Sequence, residues 1–439
     1  MTSELTAQVL DAAIKAMPGA QIEVKVDRIQ SALTRFANSF IHQNVDEDTI
    51  RVGLRVHHEG RTVSVSTTQT DAEALAQRAG AMLPLAPLDP GWPGITAPTS
   101  LHEQSIVDED TRDCTPADRA ALVQDFVQAA GGLVTAGYCR TATWSGFYLN
   151  SAGQQLTAAA TDSAMDGIAR LDGADGVARY ASARLSDLEG AALGEQAANS
   201  VRAQGDPVEL PPGRYEVILQ PAAVADILNN FALFGFNGKV FTEGRSFAEP
   251  GSAQLDPAVT IYDDPTGPAG GVSFDAEGTP RGRMTLVDGG VTAGVTHDRR
   301  TAAKAGVAST GHCIIEDSWG PMPRNPVLAP GDTNLAEMIA RVERGILVAD
   351  FWYTRVLDPR TMALTGLTRN GAWLIEAGEI VRPVRNFRFT QSYVQALEPG
   401  NVLGIGSESI AQPNRYEFVN TSAPVLHLRS WNFTGGASG

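Results

Sequence analysis

Cysteine is scarce in this 439-residue chain, and its copies lie far apart. Cys114, Cys139 and Cys313 fit neither a disulfide framework nor a zinc motif made of paired cysteines. The chain also lacks a Gly-x-Ser-x-Gly elbow and a Gly-x-x-x-x-Gly-Lys-Ser/Thr phosphate loop. These absences argue against a disulfide-bonded scaffold, a zinc ribbon, a serine hydrolase of the elbow type and a P-loop nucleotidase.

Positive charge is in short supply as well. The chain has 34 Lys and Arg against 50 Asp and Glu, which gives a formal net charge of -16 and a pI of about 4.9. No run of basic residues offsets this balance. Because an acidic surface repels phosphate backbones, we expect no nucleic-acid partner.

Long apolar runs are missing too. No stretch approaches the roughly 20 apolar residues that span a bilayer, so we expect no membrane association. The first 20 residues carry scattered charges and lack the basic segment and apolar core of a secretory signal. The sequence therefore predicts a cytoplasmic protein.

The length of the chain favours two domains. Turn-forming residues cluster at Gly205-Asp206-Pro207 and again at Pro211-Pro212-Gly213, which places the boundary there. We predict an N-terminal α/β domain over 1–205, with a proline-rich loop at about 84–113, and a C-terminal β-rich domain over 206–439.

The N-terminal region alternates helical and strand patterns. Apolar residues recur at every second position in three short runs, which predicts an antiparallel sheet, and Glu59-Gly60 predicts a hairpin turn between two of them. Helices are predicted over 4–17, 70–83, 116–136 and 187–204.

The C-terminal region opens with a strand, YEVILQP, and a helix, AAVADILNNFALFGF. Short strand patterns separated by glycine, proline and aspartate follow, as is typical of hairpin-rich β domains. The fold class predicted from the whole chain is α+β, with an antiparallel sheet in the first half and a β-rich second half that has few helices.

Segments in a fixed order resemble the TldD/TldE (PmbA) metalloprotease-like family over nearly the whole chain. They are RFANSFIHQN (Arg35 to Asn44), GFYLNSAG (Gly146 to Gly153), the strand–proline–helix of Tyr215 to Phe231, the Phe-Asp-x-Glu-Gly-x-Pro element of Phe274 to Pro280, and the closing region GILVADFWYTRVLDPRTMALTGLTRNGAW. Each is weak alone, but their shared order makes a chance match improbable.

The resemblance implies a cytoplasmic peptidase system. In this family a zinc-bearing TldD-like subunit pairs with a TldE-like subunit and encloses a cavity for unfolded peptides, and some members act as amidases in natural-product pathways. The family's zinc subunits carry His-Glu-x-x-x-His on the helix that follows the strand–proline element. Histidines four residues apart share one helix face and meet one metal.

In this chain the corresponding helix contains no histidine. Asp226 and Asn230 have the four-residue spacing, but one carboxylate and one amide make a poor zinc site. The chain is therefore expected to be TldE-like, with no metal or cofactor of its own and zinc in a TldD-like partner. We interpret Asp226 first as a solvated polar position and, in the alternative, as part of a substrate cavity with Asn230.

Two further sets of residues are candidates for function. TRNGAW, with Arg369 and Asn370, lies where the resemblance places an inner cavity wall. His297, Asp298, His312 and Cys313 lie in the most family-like region, and a nearby histidine would activate Cys313 as a nucleophile by lowering its pKa. The competing interpretation is a buried structural cysteine. GTPRGR (Gly278 to Arg283) is interpreted as a solvated turn or as a contact for a peptide carboxylate.

Three functions remain open from the sequence. The leading hypothesis is a TldE-like subunit of a peptidase or amidase. The second is a metal-independent amidase that pairs with a second copy of itself and uses the four residues around Cys313 on a peptide or other amide substrate. The third is a non-enzymatic binding module.

Overall fold

The computed structural model describes residues 2–314 and 319–436. The first half of the chain contains α1 (Thr2–Ala16), β1 (Gln21–Ala37), β2 (Phe40–His58), β3 (Arg61–Thr67), α2 (Ala72–Met82), α3 (Glu109–Arg112), α4 (Pro116–Ala129), β4 (Val134–Asn150), β5 (Gln155–Leu171), β6 (Ala174–Ser182) and α5 (Gly190–Arg202).

The second half contains β7 (Gly213–Leu219), α6 (Pro221–Asn230), α7 (Gly238–Thr242), β8 (Ile261–Asp263), β9 (Met284–Asp288), β10 (Val291–Thr292), α8 (Arg299–Ala305), β11 (Pro326–Leu328), α9 (Leu335–Arg341), β12 (Arg344–Asp358), β13 (Ala363–Glu376), β14 (Glu379–Pro383), β15 (Phe387–Ser392), α10 (Tyr393–Ala396), β16 (Val402–Ile405), β17 (Ile410–Gln412), β18 (Thr421–Ala423) and β19 (Leu426–Gly436). The predicted α+β class is confirmed.

The first sheet is antiparallel throughout, in the order β3-β2-β1-β4-β5-β6. Alternate residues of β1 face opposite ways, and Val24 and Val26 pack into a core with α1 and α2. On the other face Glu23 accepts a hydrogen bond from Arg299 of the second half of the chain, and Asp27 accepts one from Trp144 of β4. The predicted turn joins β2 to β3, with positive φ at both Glu59 and Gly60.

The helix predicted over 116–136 is too long. α4 ends at Ala129, because Gly131 and Gly132 both adopt positive φ, and β4 begins at Val134. The proline-rich loop contains two short helical turns, at Leu83–Leu85 and at α3, and is otherwise irregular.

Five strands of the second half close on themselves. β12, β7, β19, β15 and β13 pair in that order, and β12 also pairs with β13, so the ring is complete. Phe351, Phe389 and Trp431 are among the aromatic side chains that fill its core. A smaller sheet, β10-β9-β8-β11-β18-β17, lies beside it. The predicted boundary near 205 falls in the connection between α5 and β7 and remains a prediction.

Among the residues that the structure describes, no helix is long and apolar enough to cross a membrane.

Candidate functional site

Helix α6 forms one wall of a cavity. β7 ends at Leu219, and Pro221 is the first residue of the helix. A backbone N–H at this position has no partner within the helix, so the missing N–H of proline costs no hydrogen bond. The helix continues as a π-turn over Phe231–Gly235, so the predicted helical segment is confirmed with a change of winding at its end. Ala222, Ala225, Asp226 and Asn229 lie on one face of α6 and line the cavity.

The opposite wall comes from β12 and β13. The cavity has a volume of about 500 Å³ and includes six consecutive residues of β12, from Asp350 to Arg355. Since successive side chains of a strand point to opposite faces, six consecutive lining residues indicate that the strand presents its edge here. β12 pairs with β7 only from Gly345 to Val348, and beyond Val348 no described strand continues that side of the ladder.

The edge of β12 is also irregular. Its pairing with β13 shifts register between Trp352 and Arg355, so Tyr353 and Thr354 are skipped. Tyr353 has a φ of 54°, a left-handed conformation that is strained for a bulky residue, and both Trp352 and Tyr353 are exposed. Sequence reasoning missed this bulge; the only hint was a run of three aromatic residues, Phe351 to Tyr353, in a strand pattern.

Asp226 points into the cavity with its carboxylate fully engaged. Its oxygens accept hydrogen bonds from Thr354 Oγ1 at 2.8 Å, Tyr393 OH at 2.9 Å and Asn230 Nδ2 at 3.1 Å. Burial raises the pKa of the Asp226 carboxyl to about 6, although the Thr354 and Tyr393 hydrogen bonds act in the opposite direction. The favoured interpretation of Asp226 as a solvated position is therefore wrong.

The other predicted cavity residues divide into two groups. Arg369 and Asn370 line the cavity, whereas Asn230 is not a lining residue and instead donates a hydrogen bond to Asp226. Asn370 has a φ of 60° and donates a hydrogen bond to Asp350 at 3.0 Å. Arg369 stacks on Trp352, with its guanidinium carbon 4.2 Å from the ring centre.

Asp350 is a cavity residue that sequence reasoning did not single out. It is 5% exposed and forms an ion pair with Arg179, whose Nη1 lies 3.1 Å from its Oδ2. Burial raises the pKa of Asp350, and Arg179 opposes that rise. Its partner comes from β6 of the first half, a contact that the spacing of the residues in sequence does not reveal.

His297, Asp298 and His312 are held in closed contacts. Asp298 caps α8 by accepting from the backbone N–H of Thr301, and His297 Nδ1 lies 3.1 Å from Thr301 Oγ1. Both ring nitrogens of His312 are engaged, Nε2 at 3.0 Å from Asp263 Oδ2 and Nδ1 at 2.9 Å from Thr310 Oγ1.

Cys313 has the surroundings of an unreactive thiol. Burial raises its pKa well above the usual value, and the Glu277 and Asp275 carboxylates add to that effect. Among described residues its Sγ donates only to the Ile314 carbonyl, at 3.5 Å, and neither the His297 nor the His312 imidazole forms a hydrogen bond with it. The geometry does not bring the four residues together as a nucleophile and base, and it supports a structural role for them.

The segment GTPRGR (Gly278 to Arg283), interpreted from the sequence as a solvated turn, is largely buried in the structure. Arg281 is 1% exposed and donates to Asp263 Oδ2 at 2.7 Å, while Arg283 is exposed and stacks on Tyr262. Burial by itself would raise the pKa of Asp263, but Arg281 and His312 outweigh it and hold that pKa below its usual range. Asp264, the residue after Asp263, caps a turn by accepting a hydrogen bond from the backbone N–H of Thr266.

A second group of buried charges joins the two halves of the chain. Arg299 reaches across to Glu23 on β1 at 2.6 Å and to Glu277 at 3.1 Å, and Arg55 on β2 contacts Glu277 at 2.9 Å. Tyr148 OH donates to Glu23 at 2.5 Å. These charges and the Asp263–Arg281–His312 group are here called the paired interior.

The cavity face of α6 does not fit the zinc of the family's metal-binding subunits. Its single carboxylate is taken up by three hydrogen-bond donors, and an amide oxygen is the other group at the four-residue spacing. Over residues 2–314 and 319–436, no group of three or more His, Cys, Asp and Glu is arranged to hold a metal ion.

Comparisons with known sequences agree on one family. Residues 212–435 match the sequence model of the PmbA/TldA metallopeptidase C-terminal domain, and residues 22–83 match that of PmbA/TldA metallopeptidase domain 1. A metalloprotease TldD homolog from Buchnera aphidicola is 28% identical over 199 residues, which are 44% of this chain and 41% of that protein. A metalloprotease from Methanocaldococcus jannaschii is 24% identical over 182 residues, 40% of each chain. The chain thus spans about two fifths of the length of these curated relatives.

The fold is shared with a solved structure along almost its full length. The crystal structure of TldE from Thermococcus kodakarensis superposes with a TM-score of 0.87 and covers 98% of this chain and 100% of that one. The sequence identity is 18%, so this likeness concerns the fold.

Proposed function

Because the chain belongs to the TldD/TldE (PmbA) family, we propose that it is a TldE-like subunit of a cytoplasmic peptidase. In this proposal it binds no metal and forms a substrate cavity together with a zinc-bearing TldD-like partner. The observation that carries the proposal is the 500 Å³ cavity between α6 and the edge of β12, on the helix face where the family's metal subunits place their histidines.

The cavity suits an extended peptide. A peptide that adds to a free strand edge gains affinity from main-chain hydrogen bonds, whereas side-chain pockets provide selectivity. β12 offers such an edge beyond Val348, and the bulge at Tyr353 and Thr354 removes two residues from the ladder with β13. A subunit of this kind contributes binding without contributing a nucleophile or a metal.

Mixing the purified chain with a TldD-like metalloprotease from the same genome tests the proposal. The readouts are native mass spectrometry, zinc content and hydrolysis of an internally quenched peptide blocked at both ends. We expect a one-to-one complex, zinc in the partner, and hydrolysis by the mixture that a chelator abolishes. Stoichiometric zinc in this chain alone, or hydrolysis by it alone, would overturn the proposal.

The metal-independent homodimeric amidase is the alternative, and the same experiment separates it. That function needs turnover by the pure chain that survives a chelator and disappears in Cys313→Ala. The raised pKa of Cys313 and the absence of a hydrogen bond with either imidazole among described residues count against it. The third function, a binding module without catalysis, predicts that the cavity binds peptide but that no partner restores hydrolysis.

A further inference from the structure

Arg369 lines the cavity without an acidic partner. It is half-buried on β13 and rests on the face of Trp352, which fixes the plane of its guanidinium. In the described part of the chain, no carboxylate forms an ion pair or hydrogen bond with it. The cavity's other inner arginine, Arg179, differs because it lies between Asp350 at 3.1 Å and Asp166 at 3.4 Å.

Arg355 repeats the arrangement at the mouth of the cavity. Its guanidinium carbon lies 4.3 Å from the centre of the Tyr353 ring, and its Nη1 donates to the Thr354 carbonyl at 2.9 Å. It has no acidic partner in residues 2–314 and 319–436 either. A guanidinium carries five N–H donors, so most of those on Arg355 remain available to a ligand.

Gln412 adds a buried acceptor that lacks a donor. It is 8% exposed, lines the cavity from β17, and its Oε1 has no hydrogen-bond partner among the described residues. A buried acceptor without a donor is unfavourable, so a ligand N–H that reaches this oxygen is favoured.

The charge of the cavity opposes that of the protein. Three arginines and two aspartates line it, although the whole chain carries a formal net charge of -16. Both aspartates are engaged, Asp226 by three donors and Asp350 by Arg179 and Asn370. A ligand that suits these groups brings an anion for the free arginines and an N–H donor for Gln412.

We propose that the cavity binds the C-terminal end of a peptide, with the free α-carboxylate held by Arg369 and Arg355 and a peptide N–H donated to Gln412. Guanidinium and carboxylate groups match in shape and form paired hydrogen bonds, which makes arginine the natural reader of a chain end. This inference rests on the proposed function, because it names the class of substrate that the cavity takes.

Fluorescence anisotropy with two matched probes tests the inference. Both are the fluorescein-labelled peptide Gly-Ala-Leu-Ala-Ala, one with a free C-terminal carboxylate and one with a C-terminal amide, titrated with the full chain. We expect the amide to bind about tenfold more weakly or worse at low salt, because the charge-assisted hydrogen bonds to the carboxylate are lost. Raising the ionic strength should reduce the difference in affinity between the two peptides, because salt screens the charge pair.

Variants assign the effect to residues. Arg369→Gln should weaken binding of the carboxylate peptide and leave the amide unchanged, and replacing Arg355 with Gln as well should make the two affinities equal. Gln412→Leu should weaken both peptides alike. Arg283→Gln is the matched control: Arg283 also stacks on a tyrosine, 3.6 Å from its ring centre, but lies outside the cavity lining, so its replacement should change neither affinity.

The outcomes separate the inference from the proposed function. Equal affinity for the two peptides, or no binding of either up to about 1 mM, overturns the carboxylate subsite. Hydrolysis of the doubly blocked peptide by the complex with the TldD-like partner reports on the proposed function independently. If that hydrolysis persists while the two probes bind equally, the subsite fails and the peptidase role stands.

Discussion

The paired interior and the cavity beside α6 differ in whether their arginines have acidic partners. In the paired interior Asp263 meets Arg281 and His312, and Glu23 and Glu277 meet Arg299. In the cavity Arg369 and Arg355 stack on aromatic rings and meet no acid among the described residues, and Gln412 Oε1 lacks a donor there. Buried charges that meet opposite charges hold a fold together, whereas charged groups left without a counter-charge beside a cavity are suited to a ligand.

The comparison separates two sets of candidate residues that the sequence presents as equals. His297, His312 and Cys313 look chemically richer than Asp226, Arg369 and Asn370. The contacts favour the second set as the functional one. The two histidines of the first set have their hydrogen bonds taken up by neighbouring side chains, whereas the second set lines an open cavity.

Arg281→Leu should have the largest effect on stability. It leaves the fully buried Asp263 without its cation, and breaking a buried pair by removing one partner costs about 3–5 kcal/mol. Urea denaturation measures the change in the free energy of unfolding. Arg283→Leu, two residues away and exposed, is the control and should change stability by about 1 kcal/mol or less. Equal losses of unfolding free energy in the two variants would mean that the charge pairs of the paired interior do not stabilise the fold.

Asp226→Asn should change how stability depends on pH. In the native state burial raises the pKa of Asp226 to about 6, above the ordinary value of an aspartate in an unfolded chain, so the native state binds this proton more tightly. The resulting stabilisation is complete below pH 4 and disappears as the pH rises through 6. Between pH 4 and 7, the free energy of unfolding of wild type should fall by about 2 kcal/mol relative to that of the variant, because the asparagine of the variant has no carboxyl group that titrates.

Unfolding in denaturant at a series of pH values measures that difference. Asp288→Asn, at an exposed position at the end of β9, is the control and should follow wild type across the range. Parallel curves for wild type and Asp226→Asn would mean that the Asp226 carboxyl is not buried as the contacts indicate.

Cys313→Ala should have the smallest effect. Removing a buried sulfur leaves a small void, and we expect a loss of about 1 kcal/mol in the free energy of unfolding. Partner-dependent hydrolysis should stay within about twofold of wild type, because the thiol is not a nucleophile in this account. Loss of turnover in a variant that still folds and assembles would restore the amidase interpretation.

Much of the fold could be predicted from local pattern. Period-two alternation located parts of β1, β2 and β3, Glu59-Gly60 located a hairpin, and the strand–proline–helix element located α6. The end of α4 was misplaced because the alanine-rich run resembles a helix up to the two glycines that terminate it.

The candidate site was only partly predictable, because its contacts join residues distant in sequence. The environment of Asp226 depends on Thr354 and Tyr393, which are 128 and 167 positions away. The partner of Asp350 comes from β6, and the bulge at Tyr353 depends on its register with β13. Arg369 and Asn370 were found through the family resemblance, since a single sequence does not show which arginine lacks a partner.

The most direct test of the central claim is peptide hydrolysis by the complex with a TldD-like partner, compared between Ala222→Trp and Cys313→Ala. Ala222 is a half-buried lining residue on α6, so an indole there fills the cavity. We predict that Ala222→Trp still assembles with the partner but loses at least about tenfold in rate, whereas Cys313→Ala keeps the wild-type rate. An active Ala222→Trp together with an inactive Cys313→Ala would contradict the account and move the chemistry to the paired interior.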